Sequence, residues 1–204
     1  MTKCFLVTKT NLAAVSLRRY NSNGTGQSPC PAMPGQYGYH DGTHYLQDAA
    51  VAEDAEGYWS VPEVGIPHDD PRWPTHCACG YAFLPSDSWQ EFTDRLYADA
   101  AGKQYRHREL PVGAMYYADW LPKNMFWDNK TDDYLTVVTP GGEWNIDQRA
   151  NNCTLPNDRL HRCWVRHGTP PDIHVDKVGL TCAAGAGSII CGSYHGFLQH
   201  GSLT

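Results

Sequence analysis

Residues 75–83, THCACGYAF, set two cysteines, Cys77 and Cys79, two positions apart, behind a histidine and ahead of a glycine and a tyrosine. Two thiolates at that spacing converge on one ion if the chain turns between them, and Gly80 gives the backbone the freedom to turn. Zinc is the first ion to consider, because it accepts thiolate and imidazole and needs no redox control. It takes four ligands, so two more are required. Cys30 and His40 are the expected ones. They lie in a Gly/Pro-rich segment at 21–43, NSNGTGQSPCPAMPGQYGYHDGT, that is long for a compact domain and needs something to hold it. His44 lies beside the same segment, and His76, adjoining Cys77, is a less favoured ligand. The competing reading is a pair of buried free thiols. Four-ligand closure would make the ion structural, whereas an open fourth position would permit catalysis.

A second group, NNCTLPNDRLHRCWVRHG, carries Cys153, His161, Cys163 and His167, with Cys182 farther on. It allows a second zinc. It equally allows Cys163 and Trp164 to be core positions of a strand flanked by histidines, since free cysteine is among the most buried residue types. A third stretch, AAGAGSIICGSYHGF, brings Ser188, Ser193 and His195 close in sequence around Cys191. A hydroxyl becomes a nucleophile beside a base, and His195 is placed to be that base for Ser188 or Ser193. Asp147 or Asp176 would orient it. The alternative is a plain turn with a histidine at a strand end. The stretch matches neither a P-loop nor a G-x-S-x-G elbow. A cysteine nucleophile, Cys163 or Cys182 with His195, lacks the flanking residues of known thiol proteases.

The elements that must position these groups read as α+β, mainly antiparallel strands and hairpins with one clear helix and a zinc-stapled loop region. Residues 3–8 form an opening strand, and 13–20 fit strand or helix. Residues 47–58 are an acidic, alanine-rich surface excursion. Pro62, Pro67, Pro71 and Pro74 exclude regular structure over 62–74. Ser88-x-x-Glu91 fits a capping box, and Trp89, Phe92, Leu96 and Tyr97 give an apolar stripe, which predicts a helix over about 89–100. From residue 110 strands dominate. GAMYYADW is one, YLTVVT–PGG–EWNID a hairpin, DIHVD–KVG–LTCA a second, and HGFLQHGSL a short strand, a turn at Gln-His-Gly and the chain end. The expected division is 1–105, Cys/His-rich and loop-rich, and 106–204, β-rich, with one continuous domain as the alternative.

Composition narrows the classes. The chain has 204 residues, of which 41% are hydrophobic and 19% charged, enough to bury a core on a weakly charged surface. A net charge of −6 without a basic cluster argues against nucleic acid. No apolar run approaches the roughly 20 residues of a membrane span, and the N-terminus lacks a signal-peptide pattern. The expectation is a protein of the reducing cytoplasm of the (host) cell. There, 8 cysteines point to metal or burial rather than to disulfides. Tyr37, Tyr39, Tyr116, Tyr117, Trp120 and Trp127 are candidate exposed aromatics for a protein partner or protein substrate.

Through LRRY, SPCPAMPG, RWPTHCACGYAF, IDQRANNC, HRCWVRHGTPP, VDKVGLTCAAGAGSI and GSYHGFL, nearly the whole sequence resembles a family of uncharacterised proteins encoded by bacteriophages of actinobacteria. More distantly, residues 164–203 resemble the peptidase-like domain found beside bacterial ubiquitin-like conjugation genes. The elements carrying that similarity are Cys77-Ala78-Cys79-Gly80, Trp164, Val175–Gly179 as VDKVG, Ser188-Ile189, Cys191, Ser193, His195, Phe197 and Gly201. The departures are Tyr194 between Ser193 and His195, Gly196 before Phe197, and no cysteine after the closing strand. The resemblance implies a zinc-containing hydrolase, most plausibly a peptidase, with His195 as general base. The alternative is a non-enzymatic, zinc-stapled binding module, a minor virion component or a protein that engages the host.

Overall fold

The computed structural model describes residues 1–21, 30–31, 40–55, 58–118, 134–158, 161–179, 181–184 and 187–204. Its strands are β1 (Thr2–Lys3), β2 (Phe5–Tyr20), β3 (Asp41–Ala50), β4 (Ala52–Glu53), β5 (Trp59–Ser60), β6 (Ser88–Asp99), β7 (Gln104–Arg106) and β8 (Ala114–Ala118). They continue with β9 (Tyr134–Thr139), β10 (Gly142–Asn145), β11 (Val165–Thr169), β12 (Asp172–Asp176), β13 (Ile189–Cys191), β14 (Tyr194–Gly196), β15 (Leu198–Gln199) and β16 (Ser202–Leu203). Among the described residues the helical element is a single 3-10 turn, His107–Glu109. The chain is therefore nearly all β, and the α+β expectation is wrong.

The error lies at 89–100, which form β6 instead of a helix. Glu91, read as half of a capping box, instead accepts hydrogen bonds from the backbone N–H groups of Val64 and Ile66, both at 2.7 Å. Asp94, Arg95, Leu96 and Tyr97 are all buried, so neighbours cover both faces of the strand. A strand covered on both faces loses the alternation that would have identified it. Trp, Phe, Thr and Tyr, all present here, favour the pleated backbone.

The chain divides into two compact units, Met1–Lys9 with Tyr97–Thr204, and Thr10–Leu96. In the Thr10–Leu96 unit, β2 pairs antiparallel with β3 from Leu12↔Ala50 to Tyr20↔Asp41, with a bulge between Val15 and Ser16. β6 is its neighbour on the other side. Residues 13–17 are buried throughout, as a central strand requires. The acidic 47–50 stretch is the mostly exposed end of β3. No strand forms over 61–87, which agrees with the proline content, and side chains hold this segment instead. Trp73 donates to the Pro67 carbonyl at 2.8 Å and packs edge-on against Trp89. Arg19 lies over the Trp89 ring at 3.7 Å and donates to the Leu84 carbonyl at 2.6 Å.

In the other unit, β8 pairs with β9 and β9 with β10, the latter being the expected hairpin across Pro140-Gly141. Its core gathers Met115, Leu135, Val137, Ile146, Ile173, Ile189 and Leu198. The hairpin expected between DIHVD and LTCA does not form. β12 pairs instead with β11, Val165↔Asp176 to Thr169↔Asp172, across Pro170-Pro171. The short strand and turn expected near the end form, and a further strand, β16, follows the turn and pairs with both β15 and β1. The β13/β14 turn sits against the β9/β10 turn so closely that a Cβ on Gly141 would lie 1.7 Å from the Cys191 carbonyl oxygen. A side chain at Gly141 has no room there.

Candidate metal centres

Two Cys/His groups converge, one within each unit. In the Thr10–Leu96 unit, the ligand atoms of Cys30, His40, Cys77 and Cys79 all lie within 4.8 Å of one another. The sulfurs of Cys30 and Cys77 are 3.5 Å apart, and the Cys79 sulfur is 3.2 Å from Nδ1 of His40. In a tetrahedral zinc site with Zn–S bonds of about 2.3 Å, neighbouring sulfurs stand about 3.8 Å apart. The observed spacing is compatible with a set gathered around one ion.

Local folding explains the convergence. Gly80 N–H donates to the Cys77 carbonyl and Cys77 N–H to the Tyr81 carbonyl, so 77–81 form a tight turn. Gly80 takes φ +91, which disfavours side chains. His40 stacks on Tyr81 with ring centres 4.0 Å apart and planes 5° from parallel. The Tyr81 hydroxyl donates to Asp87 and accepts from Asn21, which fixes that ring in turn. Burial would raise the Cys77 thiol, but the amides of Cys79 and Asp41 and contacts with His40 and Cys30 bring it down to about 6. His76 stands outside the group, exposed and bonded to Thr75.

In the other unit, Cys153, His161, Cys163 and Cys182 converge in the same way. Nε2 of His161 is 3.1 Å from the Cys153 sulfur, and Cys182 lies 3.6 Å from Cys163 and 4.0 Å from Cys153. Nδ1 of His161 is 2.8 Å from the Asp158 carbonyl, so it carries the proton and leaves Nε2 as the lone-pair donor. Arg149 donates to the carbonyls of Leu155 at 2.9 Å and Asp158 at 2.7 Å, with longer contacts of 3.8 Å to Cys153 and 3.4 Å to His161. Its charge offsets the thiolates. Lys177 donates to the carbonyls of Cys163 and Ala184, tying the last two ligand segments together.

The electrostatics of this group are uneven. Burial and the neighbouring thiols push Cys163 up to about 12. For Cys182, burial is outweighed by the amides of Ala184 and Thr154, which bring it down to about 6. Three adjacent thiolates would repel one another, and a divalent cation would remove that penalty.

The two groups share a plan. In each, one thiol receives the amide N–H two residues on, Cys79 to Cys77 and Ala184 to Cys182. In each it also receives the amide of the residue that follows another ligand, Asp41 after His40 and Thr154 after Cys153. Both clusters are compatible with zinc. All 8 cysteines are free thiols, and burial raises Cys4, which belongs to neither group, to about 11.

His195 and Ser188 meet as well. Nε2 of His195 is 3.0 Å from the Ser188 hydroxyl, and the pair is exposed. Ser193 sits exposed in the β13/β14 turn. The two expected orienting acids are engaged elsewhere. Asp147 pairs with Arg166 at 3.0 Å and accepts from Leu135 N–H, and Asp176 faces His167 and His174. His167 thus leaves the Cys153 group for the β11/β12 hairpin. Of the candidate exposed aromatics, Tyr116 is fully buried, Tyr117 is exposed, and the other four lie outside the described residues. Among the described residues no helix is long and apolar enough to cross a membrane.

No family model, curated protein or solved structure matches the chain.

Proposed function

We propose that the chain is a zinc-stapled binding module, with one structural zinc ion in each unit. The carrying observation is that both Cys3His sets are complete, since four protein ligands leave no coordination position for a substrate. The ion in the Thr10–Leu96 unit anchors the Gly/Pro-rich segment at two points, Cys30 within it and His40 near its end. A protein is the partner this reading calls for. Ile190 on β13, 70% exposed, and Phe197 between β14 and β15, 42% exposed, offer apolar contact in the C-terminal part. The resemblance to actinobacteriophage proteins favours a bacterial host protein.

Zinc-edge X-ray absorption on protein purified without added metal tests the assignment. The expected shell is three sulfurs at about 2.3 Å and one nitrogen at about 2.0–2.1 Å, without oxygen. An oxygen in the fourth position would overturn the structural role.

A hydrolase is the second reading, favoured by the 3.0 Å contact of His195 with Ser188. It predicts that the protein digests casein and that His195→Ala lowers the rate by about 10²–10⁴-fold with zinc content unchanged. Absence of wild-type digestion, or full turnover by His195→Ala, would remove this reading.

A further inference from the structure

The β11/β12 hairpin carries a third group, unlike the other two. Its register sets His167 directly opposite His174, and the two-residue period of a strand puts Asp176 on the same face as His174. Ile173 and Val175, on the other face of β12, are buried in the core and hold the strand in that orientation. Nε2 of His167 is 3.0 Å from Oδ1 of Asp176, and Nε2 of His174 is 3.5 Å from Oδ2. Oδ1 also accepts the Val178 N–H at 2.8 Å, which fixes the carboxylate. The two imidazoles lie 4.7 Å apart and 17° from parallel. His200 flanks them, its ring 5.0 Å from that of His174. Its turn is held to β12 by the Gly201 N–H bond to the Ile173 carbonyl.

Two imidazoles and one carboxylate therefore converge on one face, with their ligand atoms within 4.8 Å of one another. Each side chain is about one-third exposed, 34–36%, so an ion here is open to solvent. This donor set contains no thiolate. It suits ions that prefer imidazole with some oxygen, and a facial set of three leaves positions for water. We propose that His167, His174 and Asp176 form a third, exchangeable site for one divalent transition-metal ion, Zn²⁺ or Ni²⁺. The site does not depend on the cysteine centres: different residues build it, and its ion differs in coordination and access.

The test dialyses full-length protein as isolated, which empties an exchangeable site, then adds Ni²⁺ and follows it by calorimetry and by histidine-ring NMR. One further equivalent is expected, with selective paramagnetic broadening of the His167 and His174 rings. That equivalent is lost in His174→Gln and in Asp176→Asn, whose zinc content and amide spectra stay those of the wild type, and it is retained in His195→Ala. No added equivalent, one that survives His174→Gln, or broadening confined to other histidines would overturn the site. The ring signals of the wild-type protein decide the question even if a variant fails to fold, and whether or not the cysteine centres carry metal.

Discussion

His40 and His161 turn a ring nitrogen toward the cysteines of their groups by different means. His161 is set by its Nδ1 hydrogen bond to the Asp158 carbonyl, and His40 by the Tyr81 ring against which it stacks. Groups of this kind orient ligands without touching the ion, and losing one typically weakens metal binding about 10–100-fold. Tyr81→Ala is expected to weaken zinc binding in its own unit by about that factor, read by competition with a chromophoric chelator. Tyr81→Phe, which keeps the stack, should weaken it far less. Equal affinity in Tyr81→Ala and wild type would show that the stack does not position the ligand. At this scale much was legible in the sequence. Cys77-Ala78-Cys79-Gly80 announces a turn that converges two thiols, and the partners Cys30 and His40 follow from a segment in need of an anchor. His174 gave no such signal, because its pairing with His167 depends on strand register rather than spacing.

Among the elements, β6 and the 61–87 segment depend on each other. Proline keeps the segment out of any sheet, so its amides must find side-chain acceptors, and Glu91 takes those of Val64 and Ile66. Hydrogen bonds to a charged group contribute about 1.5–3 kcal/mol each. Glu91→Ala is expected to destabilise the Thr10–Leu96 unit by roughly that amount, with faster hydrogen exchange at Val64 and Ile66. Unchanged exchange at those two amides would remove Glu91 as the anchor. The same residue explains the misread helix. Ser88-x-x-Glu91 followed by an apolar stripe looks identical whether the carboxylate caps its own helix or binds a distant backbone. Local sequence carries no trace of an acceptor role 25 and 27 residues away. Hairpins closed by short turns were easier, as with β9/β10. DIHVD was paired with the wrong neighbour because VRHGT, with a glycine and three polar residues, reads poorly as a strand, yet it is the strand β12 pairs with.

Over the whole molecule, the hydrophobic residues are spread over several small clusters. One of these, Cys30, Cys77 and Phe83 with Cys79 and Tyr81, is the surroundings of a metal centre. Another, Tyr134, Cys163, Cys182 and Ala184, surrounds the second. Small cores are commonly completed by a structural metal, whose binding energy becomes folding energy. The most direct measurement is zinc per chain in native-purified, extensively dialysed protein, beside Cys77→Ser/Cys79→Ser and Cys163→Ser/Cys182→Ser variants. About two ions in the wild type and about one in each double variant, with chelation lowering the melting temperature, are expected for closed four-ligand sites. A folded protein without zinc, its thiols reduced or joined as disulfides, would contradict the account.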